Sequence, residues 1–244
     1  MNFGISLPEK EHIKACWTVL NKLALNCGQK LIITFLNLIK DKFMNDTPSS
    51  REEVYQAVKN NLEQNIFYHS LALEACLAGI YDYLQIRGEL GAGEPPKEDW
   101  LLAGLSHDID YSGEFKAEHP RKTVEALTKY GLQVSDSVLS MIKAHAPELT
   151  GQQPQNKAQW AIMCADSLTG LIIACALILP TKKLADVKLA SVLKRFLKDP
   201  KFAAGARRQE VARCANAEGL NIPVEKFCDI CLISMQNIAS EIGL

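Results

Sequence analysis

Residues 160–179 read WAIMCADSLTGLIIACALIL, and no other stretch narrows the options of this chain so far. Twenty residues of this composition approach the length that spans a bilayer. Asp166, Ser167 and Thr169 interrupt the run, so it reads as a helix buried in a protein core. That helix carries a problem. An ionised carboxylate in apolar surroundings is costly unless it is paired or bound to a metal. No Lys or Arg lies within a turn of Asp166 on the same helix. Its cation must come from elsewhere in the chain.

Apolar residues recur at helical spacing almost throughout, and alternating strand patterns are nearly missing. Pro and Gly supply the punctuation. The spacing predicts an N-terminal pair of helices over 8–26 and 28–43, then a turn at NDTPSS (45–50). A long helix follows over about 51–87 and a short one over 97–107. Pro120 suits the first turn of a helix ending at Gly131. Further helices are expected over 135–145, 156–179, 184–198, 203–217 and 223–241, with PELTGQQPQN (147–156) as a polar loop. The fold class is all-α, a helical bundle over 46–244 with an N-terminal helical extension over 1–45.

Bulk numbers remove some function classes. The chain has 244 residues, 48% of them hydrophobic, and a net charge of -1. No global basic field points to nucleic acid or an anionic membrane. LIITFLNLI (31–39) sits between Lys30 and Lys40 and is too short to span a bilayer. The eight cysteines are scattered, in apolar contexts such as Cys76, Cys164 and Cys175. That suits reduced thiols in a cytoplasmic protein better than a disulfide framework. Cys228 and Cys231 form a CxxC with no second pair and read as core packing. No signal-peptide pattern opens the chain.

The chain has five histidines, and two fall in GLSHDIDYSGEFKAEHP (104–120). A His-Asp dipeptide such as His107-Asp108 is expected by chance roughly one time in four in a chain of this kind. Its meaning therefore depends on the rest. His69 lies inside the long helix, His107-Asp108 ends the next, His119 precedes Pro120, and His145 ends the helix after that. With Asp166 they could supply the missing cation as a bound metal. Imidazole with carboxylate suits Fe, Mn, Co, Ni or Zn, one ion or two, and Mg is admitted. His12 stands outside this set and reads as a surface residue.

The order His, His-Asp, His, His, Asp on a helical chain resembles the HD-domain superfamily of metal-dependent phosphohydrolases. The segments WLLAGLSHDIDY, EHPRKTVEALTKYGL, MIKAHAP, ADSLTGLIIACALILP and FAAGARRQEVARC are similar to a bacterial subgroup of undefined substrate, over roughly 50–244. The resemblance implies that His69, His107 and Asp166 hold one metal. Asp108 would bridge to a second, held also by His119 and His145. His107, Asp108 and Asp110 are then the candidate catalytic residues. Many members carry a Gly and then a Lys after the His-Asp pair; here Ile109, Asp110 and Tyr111 follow. Asp110 is thereby also a candidate partner for a ligating imidazole.

The expected activity is hydrolysis of a phosphoester, a nucleotide or a small phosphorylated metabolite. Two cations about 3.5–4 Å apart activate a shared water and offset charge on phosphoryl oxygens. Asp110, Glu114 or Glu118 could assist proton transfer. Candidate anion contacts are Arg121 and Lys122, at a helix start, and Arg207 and Arg208, at the end of the basic stretch 193–210. Lys143 is two residues from His145 and points away from it. A di-iron oxygenase, or a nucleotide-binding domain without turnover, is the alternative. The expected partner is a small phosphorylated substrate; a second copy of the chain is a further candidate.

Overall fold

The structure is a computed structural model that describes residues 48–244, with Thr18 alone before them. The helices expected over 8–26 and 28–43 lie outside the described residues. Those described contain helices and turns and no strand, an all-α fold.

The elements are α1 (Arg51–Asn61), α2 (Gln64–Ile86), α3 (Lys97–Ser106), α4 (Thr123–Lys129), α5 (Asp136–Ala144), α6 (Pro147–Thr150), α7 (Lys157–Leu177), α8 (Leu189–Lys198), α9 (Arg208–Ala212) and α10 (Val224–Asn237). Their starts follow local chemistry. Ser50 and Glu53 form a reciprocal capping box on α1. Ser135 caps α5 and Asn156 caps α7 through their side chains. The Glu94 carboxylate also accepts from the backbone amides of Lys157 and Ala158 at 2.8 and 3.1 Å, placing negative charge at the amide end of α7.

Helices α2 and α7 form the centre. Helix α2 packs on α3, α7 and α10, and α7 packs also on α5, α8 and α9. Trp100, Phe227, Leu73, Leu77, Ile80, Ile162 and Met163 are fully buried between them. By length and composition α7 could cross a membrane, but most of it is buried inside the protein. The thiols of Cys228 and Cys231 are buried in this core, and burial pushes the Cys228 thiol up to about 12.

Five expected segments are corrected. The helix expected over 51–87 breaks at Leu62, whose extended backbone (ψ 152) separates α1 from α2. Neither Gly nor Pro marks the break; the hydroxyl of Ser112 donates to the freed carbonyl of Asn61. The helix expected from Pro120 starts at Thr123. The loop expected over 147–156 contains the turn of helix α6. The helices expected over 184–198 and 203–217 shorten to α8 and α9, joined by a coiled segment. Arg208 holds that segment by donating to the carbonyls of Phe196, Ala203, Asp199 and Phe202.

Candidate metal centre

Six side chains from five segments converge beside the α2–α7 pair. His69 comes from the first half of α2 and Asp166 from the middle of α7. His107 and His145 are the residues that end α3 and α5. Asp108 follows His107, and His119 closes the loop after it.

Hydrogen bonds orient every imidazole alike. His107 Nδ1–H donates to the carbonyl of Gly104 at 2.9 Å. His145 Nδ1–H donates to the carbonyl of Ile142. In each case a helix-ending histidine satisfies a carbonyl of the last turn, three residues back. His119 Nδ1–H donates to Asp110 Oδ1 at 2.7 Å. His69 is settled by elimination. The single hydroxyl proton of Thr169 goes to the Asp166 carbonyl at 2.6 Å. At 2.9 Å from His69 Nδ1 that hydroxyl must therefore accept. All four rings thus carry their proton on Nδ1 and leave Nε2 as the free donor atom. A ring nitrogen whose opposite N–H is held by an acceptor is the usual arrangement of a metal-binding histidine.

The free atoms face one another. His69 Nε2 lies 3.1 Å from His107 Nε2 and 2.9 Å from Asp166 Oδ1. His107 Nε2 lies 3.3 Å from Asp108 Oδ2. Donor atoms about 2.0–2.2 Å from one ion at ordinary coordination angles stand about 3.0–3.5 Å apart. The set therefore has the spacing of ligands to a single ion. Two bare imidazole nitrogens at 3.1 Å repel each other unless a proton or a cation lies between them. The other oxygen of Asp108, Oδ1, lies 3.3 Å from His119 Nε2. Asp108, His119 and His145 bring their ligand atoms within 4.8 Å of one another, as do His69, His107 and Asp108. One carboxylate thus offers one oxygen to each of two imidazole groups. A buried His/Asp cluster of this kind could hold a metal ion.

Charge supports the arrangement. Burial alone would raise the Asp108 carboxyl; without an ion, positive charge on the adjoining His107 and His69 rings holds it well below the usual range, and with the rings neutral a bound cation would have to supply that charge. Asp166 is held down against burial in the same way by His69 and then His107. Burial, with His107 next to it, lowers the His145 ring to about 4, so it stays neutral and able to ligate near neutral pH.

The cation that Asp166 requires is met in part by Arg207. Its Nη2 donates to Asp166 Oδ2 at 2.6 Å, while its Nε binds Glu210 at 2.6 Å. Glu148 stands 3.6 Å from Nη1. Arg207 and Asp166 line an open cleft of about 390 Å³ together with His69, Ser167, Gly170 and the small residues from Ala203. A Cβ at Gly170 would meet nothing within 4 Å, so packing does not demand glycine there and the helix surface stays low beside the cluster.

Other expected site residues are placed elsewhere. Asp110 is fully buried, and its oxygens accept from His119 and from the Lys122 backbone amide at 3.0 Å. It holds the His119 ring in place from a fully buried position. The Lys122 ammonium pairs with Glu125 at 3.0 Å. Arg121 donates to the carbonyl of Leu149 at 3.0 Å, beside a separate groove. Arg208 is taken up by the carbonyls of the 195–206 segment. Glu114 and Glu118 are exposed beside Lys129 and Lys122. The sequence reading missed Thr169, Glu148 and Glu210. Thr169 had a signal, a hydroxyl one turn from Asp166 in an otherwise apolar helix. The two glutamates had none, because their role depends on where Arg207 folds.

Comparison with known proteins gives no relative: no protein family, no curated protein and no solved structure matches the chain.

Proposed function

We propose that the chain is a metal-dependent phosphohydrolase of the HD-domain type, acting on a small phosphorylated molecule. The observation that carries the reading is the division of Asp108, one oxygen toward His69 and His107 and the other toward His119. A carboxylate split between two imidazole groups suits two cations at once. His69, His107, Asp108 and Asp166 would hold the first, and Asp108, His119 and His145 the second. Fe, Mn, Co, Ni and Zn suit this donor set. Divalent ions held there supply Lewis acidity for phosphoryl oxygens and a nucleophile from water at neutral pH.

The remaining roles belong to the chain. Asp110 and Thr169 keep the rings of His119 and His69 turned so that Nε2 faces inward. Arg207 neutralises the outer oxygen of Asp166, and its Nε and Nη2 are taken by Glu210, Asp166 and the His145 carbonyl; Nη1, 3.6 Å from Glu148, is the nitrogen that a phosphoester in the cleft would take over from that carboxylate. Among the described residues no Phe, Tyr or Trp lines the cleft, which supports a small phosphorylated metabolite over a stacked nucleobase.

The test is phosphate release from a panel of sugar phosphates and nucleotides, with Mn, Co, Ni, Fe or Mg restored to metal-stripped protein. His107→Ala serves as the blank. Release that requires both metal and His107 is the expected result. No release from protein that binds two ions would overturn the reading in favour of a di-iron oxygenase, the other chemistry this ligand order resembles.

A further inference from the structure

A second groove, of about 360 Å³, lies between the start of α4, the outer side of α5 and helix α6. It shares no lining residue with the cleft at Asp166 and Arg207. Its volume falls at the low end of small-molecule sites, roughly 300–1,000 Å³.

Two features set its chemistry. The first is uncompensated positive charge. Arg121 and Lys143 line the groove, and among the described residues no carboxylate does. Nearby acids face other cations: Glu118 and Glu125 stand 4.0 and 3.0 Å from the Lys122 ammonium, and Glu148 stands 3.6 Å from Arg207. The bond from Arg121 Nε to the Leu149 carbonyl fixes the guanidinium at the rim. Its terminal nitrogens, and the Lys143 ammonium, have no partner among the described residues. The second feature is apolar surface. Val124 and Leu149 line the groove and are 48% and 41% exposed, and Leu139 is partly buried beside them. Large aliphatic side chains left open beside two unpaired cations form an amphipathic recess. Water solvates the cations but gains nothing from the aliphatic walls.

We infer that this groove is a binding site for a soluble organic anion, a carboxylate, sulfonate or phosphate on a short apolar body. The anionic head bridges Arg121 and Lys143, and the body lies on Val124, Leu139 and Leu149. The head satisfies two donors fixed on different elements, and the tail covers the exposed aliphatic surface. The site is independent of the reading of the metal cluster.

Titration calorimetry of the full-length chain with 1-octanesulfonate tests this, since that probe carries both features and cannot be hydrolysed as a phosphoester. Sulfate tests the head alone and octanol the tail alone. The expected result is saturable binding of one molecule per chain, unchanged by stripping metal, with both control probes weaker by about tenfold or more. Arg121→Ala and Lys143→Ala should each weaken binding about tenfold, the scale of one lost charge-assisted contact. The Lys143 side chain is exposed and makes no hydrogen bond among the described residues, so its replacement tests the site even if loss of the Arg121–Leu149 bond disturbs folding. Binding unchanged in both variants would overturn the proposal. So would equal binding of sulfate, or loss of binding in Arg207→Ala in place of Lys143→Ala. Binding of phosphatidylglycerol vesicles without binding of soluble octanesulfonate would overturn it too.

Discussion

Replacing Gly104 by alanine tests the link between helix packing and the metal cluster. Gly104 sits on α3 where it crosses α2. A Cβ built there would stand 2.9 Å from Glu74 Cα and N and 3.0 Å from Leu77 Cδ1. Two of those contacts are backbone, so no rotamer change relieves them and α3 must retreat by roughly 0.5–1 Å. Overpacking of this kind costs about 1–3 kcal/mol, the upper end being apt for backbone contact. Alanine returns about 1 kcal/mol of helix propensity. The net is a loss of about 2 kcal/mol, or about 4–8 °C in Tm for a unit of this size. The same retreat acts at the site. Gly104 supplies the carbonyl that orients His107, and α2 carries His69, so their 3.1 Å separation opens as the helices part. Metal bonds tolerate about 0.2 Å, so affinity should fall with stability. Thermal unfolding by circular dichroism and titration with cobalt measure the two. Propensity alone predicts the opposite sign, a rise in Tm. A Gly104→Ala chain as stable as its parent, with unchanged cobalt affinity, refutes the argument.

Three further outcomes follow from the same geometry. Thr169→Val removes the acceptor that holds His69 Nδ1–H and should weaken metal binding about 10–100-fold; Thr169→Ser should restore it, and equal affinity in all three by cobalt titration would reject the tautomer assignment. Chelation should lower stability by linkage, about 2.7 kcal/mol if free metal stands at 100 times Kd, hence about 5–11 °C in Tm; an unchanged Tm counts against an ion at Asp166. In metal-free protein the folded His145 ring takes a proton only near pH 4, against about 6.5 in the unfolded chain. Its contribution is therefore complete above about pH 6.5 and is lost as pH falls toward 4. Urea unfolding of the parent and His145→Gln at pH 7 and pH 4.5 should show a smaller acid loss in the variant; parallel losses would contradict this.

How much of this was legible in the sequence depends on the kind of signal. The all-helical fold was legible because apolar spacing reports burial over many residues at once. The six ligand candidates were legible because Asp166 needs a partner and histidines are few. The break at Leu62 was not legible. It is stabilised by Ser112, more than fifty residues away, and no local Gly or Pro announces it. The gap after residue 198 was legible from Pro200, but its continuation over 203–207, where a helix was expected, was not: Arg208 binds carbonyls of that segment and holds it open. Among the basic residues, sequence could nominate Arg207 and Arg208 together but not tell them apart. Adjacent residues diverge by about 100° on a helix, and only the fold decides which one meets Asp166. Asp110 was legible as an imidazole partner but not as fully buried, because its burial depends on how the loop to His119 folds back.

The central claim is that Asp108 joins two cation positions. It is tested most directly by counting metal per chain, by mass spectrometry of protein reconstituted with manganese or cobalt and freed of excess. The account predicts two ions in the parent and none retained in Asp108→Ala, with helical content preserved. Two ions retained without Asp108, or none bound by the parent with any of the metals, would contradict it.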